Sequence, residues 1–360
     1  MINYIIRRLL LMLPTLAGIT VLVFSVMALA PGGIGANLMT SGGDMRPEER
    51  KAMVEYLNRR YGLDQPMTTQ YLRWLNNIMP IGFATGPDGA RGEFGFKTPD
   101  LGSSFVKNRP VLDLVAEALP ITLLLNALTV PLVFVGSILM GVYTARFRGG
   151  ALDVSIGTVN LALWSVPTIW MGVVLIGFLA SEEYLKWFPT SGLSSLRSDT
   201  WNFLPTFGTT VEPGYQRGYL LDMLWHLVLP VICLTYSGFA FLTKLTRAAV
   251  LENLLSDYAR TARAKGASER AVLWRHVFRN SLLPLITVTA SILPGLLVGS
   301  VIVESIFSID GMGRLAVEAV QMRDREVVLS ITLITGMLTL FSYLLVDICY
   351  ALADPRVSYE

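Results

Sequence analysis

Six stretches of the chain are apolar for roughly 20 residues or more, the length needed to cross a hydrocarbon layer of about 30 Å. They run at about 9–30, 121–145, 152–180, 221–243, 282–304 and 327–350. None alternates apolar with polar positions as the strands of a membrane barrel do. In lipid the remaining solution is the helix, which satisfies its own backbone hydrogen bonds. The pattern predicts an all-α integral membrane protein with six transmembrane helices.

Between these runs lie two longer polar regions. Residues 31–120 contain "PEERKAMVEYLNRRYGL", in which Met53, Tyr56, Leu57 and Tyr61 recur at helical spacing. "TTQYLRWLNNIM" reads as a second short helix, and the glycine- and aspartate-rich piece 80–105 as loop. The region is too large for a turn and small for a catalytic domain, so a cap or docking surface is expected. The second region, 244–281, is dense in basic residues.

Composition agrees with the membrane class. Hydrophobic residues make up 52% and charged residues 16%, against about 25% charged in soluble domains. Mean hydropathy is +0.53. With 29 basic and 27 acidic residues the net charge is +2, which gives no electrostatic footprint for nucleic acid. Cys233 and Cys349 both sit in apolar runs without a partner at metal-ligand spacing and read as packing groups. His226 and His276 are too far apart for a histidine-based metal site.

Placement of the charges orients the chain. Arg7 and Arg8 precede the first span, Arg146 and Arg148 lie between the second and third, and eight basic residues lie between Lys244 and Arg279. By the positive-inside rule these segments, with the tail carrying Arg356, are cytoplasmic. Loop 181–220 has three basic residues, and 305–326 balances Arg314, Arg323 and Arg325 with Glu318, Asp324 and Glu326. Both termini are therefore expected inside. "ALA" at 28–30 has the form of a cleavage site, but the apolar run from Leu9 exceeds the 7–15 residues of a signal core. A retained first helix is expected.

The basic region has internal order beyond what a topology signal needs. Leu251, Leu254, Leu255, Tyr258 and Ala262 form one apolar helix stripe. Gly266 supplies a C-terminal stop that tolerates positive φ, and Ser268 an N-cap. A second short helix over 269–280 places Val272, Leu273, Val277 and Phe278 to one side. The pattern predicts a helical hairpin shaped to enter another protein's groove.

"YARTARAKG" at 258–266 followed by "HVFRNSLLP" at 276–284 resembles the coupling loop of ABC-importer permeases of the oligopeptide/dipeptide branch. "IIRRLLLMLPTL" at 5–16, "YGLDQP" at 61–66, "DLGSSF" at 100–105 and "RPVLDLVAEALPITLLL" at 109–125 are similar to its B-type subunit. So are "WSVPTIWMG" at 164–172, "FSIDGMGRLAVEAVQMRD" at 307–324 and "DICYALADPR" at 347–356. Arg260 stands where the wider importer pattern has glutamate, and Asp310 and Glu326 stand where proline is usual. The two latter departures bear on the conformation of the last outer loop.

The resemblance implies that Tyr258, Thr261, Ala262, Arg263, Ala264, Lys265 and Gly266 form the contact with a cytoplasmic ATPase. His276, Arg279, Asn280 and Pro284 would set the return into the fifth span, and Asp347, Tyr350, Asp354 and Arg356 would anchor the last one. It further implies a homologous second permease subunit, two ATPase domains carrying ATP and Mg, an extracytoplasmic substrate-binding protein, and a lipid setting in the bacterial inner membrane. The implied organisation is a first helix within 1–30, an outer region 31–120, a five-helix core 121–350 that includes coupling loop 244–281, and a tail 351–360.

The chain itself has no GxxxxGK[ST] phosphate-binding loop, so no cofactor is expected on it and hydrolysis would belong to partners. An ion-coupled carrier is the alternative, but such carriers need titratable groups at mid-membrane. Glu304 and Asp347 lie near span ends. No HExxH, GxSxG or central carboxylate pair suggests an enzyme. Asn126, Ser165, Thr287, Thr289, Ser291 and Ser300 are the polar groups at membrane depth and the candidate pore lining, with helix–helix hydrogen bonding as the competing role. Pro284, Pro294, Gly295 and Gly299 would either make the fifth span pliable or simply pack it.

Overall fold

The structure is a computed structural model, and it describes residues 2–29, 48, 55, 64–85, 91–104, 106–196, 198–207, 215–282, 284–288 and 301–353. The long helices are α1 (Ile2–Leu29), α3 (Val111–Arg146), α6 (Gly218–Leu254) and α11 (Arg325–Ala353). Shorter ones are α2 (Met67–Ile78), α4 (Ala151–Ser165), α5 (Thr168–Leu175), α7 (Asp257–Ala264), α8 (Glu269–Ala271), α9 (Val301–Ile306) and α10 (Met312–Gln321). Three two-stranded antiparallel ribbons pair β1 (Ile81–Thr85) with β2 (Arg91–Phe96), β3 (Ser103–Ser104) with β4 (Arg109–Pro110), and β5 (Thr206–Phe207) with β6 (Tyr215–Gln216). Among the described residues, four helices are long and apolar enough to cross a membrane, five spans if the bent pair α4–α5 counts as one. Much of the fifth predicted span and the predicted helix at 47–63 lie outside the described residues.

Three expectations need correction. The third stretch is not one straight helix: α4 and α5 meet at 98° across Val166 and Pro167. A proline disfavours helical backbone in the residue before it, and Val166 is extended (φ −82°, ψ 123°). α5 has eight residues, continued by five in wider turns over Ile176–Ala180, fewer than the roughly 20 of a straight crossing. Secondly, piece 80–105 is not all loop. Aromatics at Phe83, Phe94 and Phe96 alternate along two paired strands, and the Phe83 and Phe94 rings meet edge-on at 5.3 Å.

Thirdly, α3 and α6 outrun their predicted bounds. Both extensions contain charged residues, which end an apolar window but not a helix. Over 111–118, Val111, Leu114, Val115 and Ala118 are buried while Asp113 and Glu117 are exposed. This is an amphipathic helix of period 3.6 continuing the apolar run.

The described residues fall into two compact units. One comprises Ile2–Glu117 with Ala316–Leu340. Its core is Val23 and Phe24 of α1, Trp74 of α2 and Leu329 of α11. The Thr20 and Tyr71 hydroxyls share a 2.9 Å hydrogen bond beside it. Asn76 holds Phe83 at both ends, donating to its carbonyl at 3.0 Å and accepting from its N–H at 2.9 Å. The Ser104 hydroxyl donates to Asp324, and the Ser330 hydroxyl to the Leu101 carbonyl at 3.1 Å.

The other unit comprises Ala118–Leu315 with Phe341–Glu360. Leu125, Ala180, Leu227, Leu229, Cys233, Val303, Phe307 and Ile309 form one core cluster of it. The break between α4 and α5 is stitched by α6: the Tyr236 hydroxyl donates to the Val166 carbonyl at 2.6 Å, and Cys233 Sγ lies 3.6 Å from the Thr168 carbonyl. A carbonyl released inside lipid needs such a partner.

Glu304, fully buried, accepts from the Thr122 hydroxyl at 3.2 Å and from the Arg314 N–H at 2.9 Å. Thr122 in turn accepts from the Met312 N–H at 2.8 Å. The loop at 307–311 is thus folded around a carboxylate. The departures from proline fit without strain: Asp310 pairs with Arg314 at 3.0 Å, and Glu326 lies in the first turn of α11, where the helix dipole favours an acid.

α3 and α6 come close at Gly141. A Cβ there would lie 2.6 Å from Thr246 Cβ and 2.8 Å from the Thr243 carbonyl. Gly141→Ala should therefore destabilise by about 1–3 kcal/mol, the usual range for overpacking. Gly157→Ala, whose Cβ would meet nothing within 4 Å, should be neutral. Thermal unfolding of the two variants in detergent checks this, with a drop of several degrees expected for Gly141→Ala alone.

Candidate functional site

The predicted hairpin exists, but it is built differently from the single stripe expected. α6 ends at Leu254, the chain turns at Leu255 and Ser256, and α7 starts at Asp257. The stripe therefore splits. Val250, Ala259, Val272, Leu273 and Val277 are buried together with Val142 and Ala145 of α3, and Leu254, Ala262, Ala267 and Phe278 pack at the edge. Leu255 and Tyr258, also of the predicted stripe, are 57% and 38% exposed. The residue of α7 that faces the core is Ala259, which is fully buried. Its small side chain lets the short helix lie close on its neighbours.

Termination of α7 follows the sequence reading in detail. Gly266 has φ +82°, its N–H donates to the Arg263 carbonyl at 2.9 Å, and the Ala267 N–H donates to the Ala262 carbonyl at 3.1 Å. This pair of bonds is a Schellman stop, which favours glycine at the left-handed position. The Ser268 hydroxyl then accepts from the Ala271 N–H at 3.3 Å, capping α8. Beyond Ala271 the helix widens through Val272–Val277, where the Phe278 N–H reaches back five residues to the Leu273 carbonyl, and helix continues through 282.

Hydrogen bonds clamp the base. Asn253 Nδ2 donates to the Ala249 carbonyl at 2.8 Å and to Ser281 Oγ at 3.1 Å, tying α6 to the returning helix. Ser281, fully buried, donates to the carbonyls of Ala249 and Val277. The Tyr258 hydroxyl donates to Asn253 Oδ1, so one asparagine joins three segments. Arg263 spans the hairpin, donating to Glu269 at 2.8 Å and to the Leu254 carbonyl at 3.4 Å.

Roles therefore divide among the residues singled out by sequence. Tyr258, Thr261, Ala264, Lys265 and Gly266 are exposed on α7 and its stop, whereas Ala262 and Arg263 are partly buried and hold the hairpin together. His276, Arg279 and Asn280 are exposed on the returning helix, and Arg260 pairs only with exposed Asp257 at 3.4 Å. Asn253 and Ser281 escaped sequence reading, because single polar residues at helix ends carry no pattern.

A second tie sits two turns from the hairpin along α6. Arg247 grips Asp153 of α4 through Nε at 2.6 Å and Nη2 at 2.7 Å, and Asp153 also accepts from the Gly149 N–H at 2.9 Å. Asp153 is 6% exposed. Its position just past "RGGA" was the available signal: an acid in a helix's first turn with a basic residue to find elsewhere.

Three of the six candidate pore residues, Asn126, Ser165 and Thr287, lie among the described residues. Asn126 donates to the Thr122 carbonyl at 2.9 Å and Ser165 to the Leu161 carbonyl at 2.8 Å, each within its own helix. Thr287 is exposed, and Thr289, Ser291 and Ser300 lie outside the described residues, as do Pro294, Gly295, Gly299, Asp354 and Arg356.

Two family models cover most of the chain. Residues 137–359 match the binding-protein-dependent transport system inner membrane component, and residues 1–126 match the N-terminal part of the same systems' membrane component. The chain belongs to the family of inner membrane permeases of binding-protein-dependent transport systems. Hydropathy and family agree on an inner-membrane protein.

Among its relatives, the oligopeptide transport system permease protein AppB of Bacillus subtilis (strain 168) is 36% identical over all of both chains. The di/tripeptide transport system permease protein DppB of Pseudomonas aeruginosa (strain UCBPP-PA14) is 34% identical, again over all of both. The peptidoglycan transport system permease protein YejB of Agrobacterium fabrum is 31% identical over 99% of this chain and 98% of its own. The hairpin of this permease lies within the segment matched by the first model.

If Asn253 is the joint of that hairpin, Asn253→Ala should loosen it without unfolding the bundle. Loss of its net hydrogen bonding, about 1.4 kcal/mol, corresponds to about tenfold faster amide exchange over 257–267. Hydrogen–deuterium exchange read peptide by peptide checks this, with peptides from α4 unchanged.

Proposed function

We propose that this permease is the membrane-spanning subunit of an ATP-driven importer that moves peptides or peptide-like solutes inward by alternating access. The observation that carries the reading is the exposed face of α7, where Leu255, Tyr258, Thr261, Ala264 and Lys265 project from a base clamped on α3 and α6. A small apolar and basic surface on a rigid helix suits docking into a groove of another protein. The partner is a cytoplasmic ATPase pair holding ATP and Mg. Full-length similarity to permeases of oligopeptide and di/tripeptide systems supports the cargo class.

On this reading the chain crosses the membrane six times with both termini inside. α4 and α5 together make one crossing, and the stretch 282–304 another. Closure of the ATPases draws the hairpins of this subunit and its homologous partner together. The clamp at Asn253 passes that displacement to α6, and the Arg247–Asp153 pair carries α4 along. A substrate-binding protein outside delivers cargo to the opened cavity. The outer region 31–120, with its exposed hairpin aromatics Phe94 and Phe96, offers that protein a surface.

Ala264→Arg tests the docking face without touching the clamp, since Ala264 is exposed. Uptake of a labelled peptide should fall by about tenfold or more, the loss expected for ~1.4 kcal/mol of binding. The ATPase should no longer copurify, and the amount of permease in the membrane should not change. Full uptake by this variant contradicts the docking assignment.

A further inference from the structure

α4 and α6 enclose a cavity of about 630 Å³ that the proposed transport cycle does not use. Its walls are mainly apolar, with Ile156, Leu161, Trp164 and Phe241 among them. One end is different: Lys244, Arg247 and Asp153 lie there, next to Thr243 and Asn160. Arg247 and Asp153 neutralise each other. Lys244 is exposed and has no carboxylate within ion-pair distance among the described residues. Arg146 and Arg148, also exposed, stand on the turn that leads into α4. The polar end is therefore net positive.

Thr243 supplies a second, independent sign of a missing ligand. It lines the cavity, is 2% exposed, and its hydroxyl has no hydrogen-bond partner. A buried hydroxyl left unpaired costs on the order of 1–3 kcal/mol, so such groups normally have partners. Asn160, 8% exposed, turns the same wall polar one step further in.

The cavity's length identifies the partner. Asp153 and Trp164 bound it along α4, eleven residues apart, which is about 16 Å at 1.5 Å per residue. That is about half of a 30 Å hydrocarbon core, or one leaflet. The groove is thus apolar for the depth of one leaflet and cationic at its mouth.

We infer that this groove binds one anionic phospholipid of the inner leaflet. The phosphate sits at Lys244, the ester carbonyl region accepts from the Thr243 hydroxyl, and an acyl chain lies along Leu161, Trp164 and Phe241. Basic pockets between membrane helices on the inner side recognise anionic headgroups in this way. Which leaflet is involved follows from the proposed orientation of the permease; the binding itself does not. Because α4 and α6 are the helices proposed to move with the hairpin, the lipid occupies a joint of the transport cycle.

Native mass spectrometry on the assembled transporter tests the site, after delipidation and addition of phosphatidylglycerol or phosphatidylcholine. One phosphatidylglycerol per permease should be retained, preferred over phosphatidylcholine by about fivefold or more, the effect of one surface lysine worth ~1 kcal/mol. Lys244→Glu should remove the preference. Gly157→Trp should reduce retention by a similar factor, because Gly157 lines the cavity with open space in front of it. If the tryptophan variant does not assemble, Lys244→Glu alone decides. Equal retention of both lipids, or unchanged retention in the variants, overturns the site. Displacement of the lipid by millimolar trialanine also overturns it and makes the groove part of the peptide path.

Discussion

The C-terminal ends of α3 and α6 are joined to a short helix by a cluster of side chains that includes Ala259. Around it Val142, Ala145, Val250, Val272, Leu273 and Val277 are buried together. Because these residues are small and branched, the hairpin lies flat and close, and displacement of α7 must be accompanied by displacement of what it rests on. Packing at crystal-like density transmits strain rather than absorbing it. Asn253 and Arg263 add direction to that contact, fixing where the hairpin points. The exposed face of α7 matters only because its buried face is immobilised.

The same need for satisfaction explains the rest of the membrane unit. Where Pro167 separates α4 from α5, Tyr236 takes up the released Val166 carbonyl. Where the chain loops at 307–311, buried Glu304 collects the Arg314 N–H and the Thr122 hydroxyl, which itself receives the Met312 N–H. Both devices place a polar side chain from one helix against irregular backbone of another. Inside lipid water cannot do this, so irregular segments persist only where protein surrounds them. Among the described residues of this unit, the buried Thr243 hydroxyl is the exception, with no hydrogen-bond partner.

Much of this was legible in the chain and some was not, for definite reasons. Hydropathy located four long apolar helices and a bent pair among the described residues, because transfer into lipid acts on every residue of a long run. It misjudged the ends of α3 and α6, since Asp113 and Glu117 before one apolar window and Lys244 and Arg247 after the other bound the run while the helix continues. The stop at Gly266 and the cap at Ser268 were readable because each depends on local backbone chemistry. The inward residue of α7 was not, because the turn at Leu255–Ser256 interrupts the predicted stripe and leaves Ala259, which lies outside that stripe, as the buried residue. The aromatic ribbon at 81–96 was obscured by its glycines, although Phe94 and Phe96 keep a period of two. Ties between distant residues, such as Asn253 with Ser281 and Asp153 with Arg247, have no local signature at all.

The central claim is that the outer face of α7 is a contact surface for a nucleotide-hydrolysing partner. A photo-crosslinking amino acid placed at Thr261 in living cells addresses it most directly, because Thr261 is exposed and its hydroxyl bonds only back to the Asp257 carbonyl of the same helix. The account predicts a single major adduct with an ATPase chain, whose yield changes when ATP is depleted. Adducts confined to lipid or to unrelated soluble proteins, with no ATPase among them, contradict it.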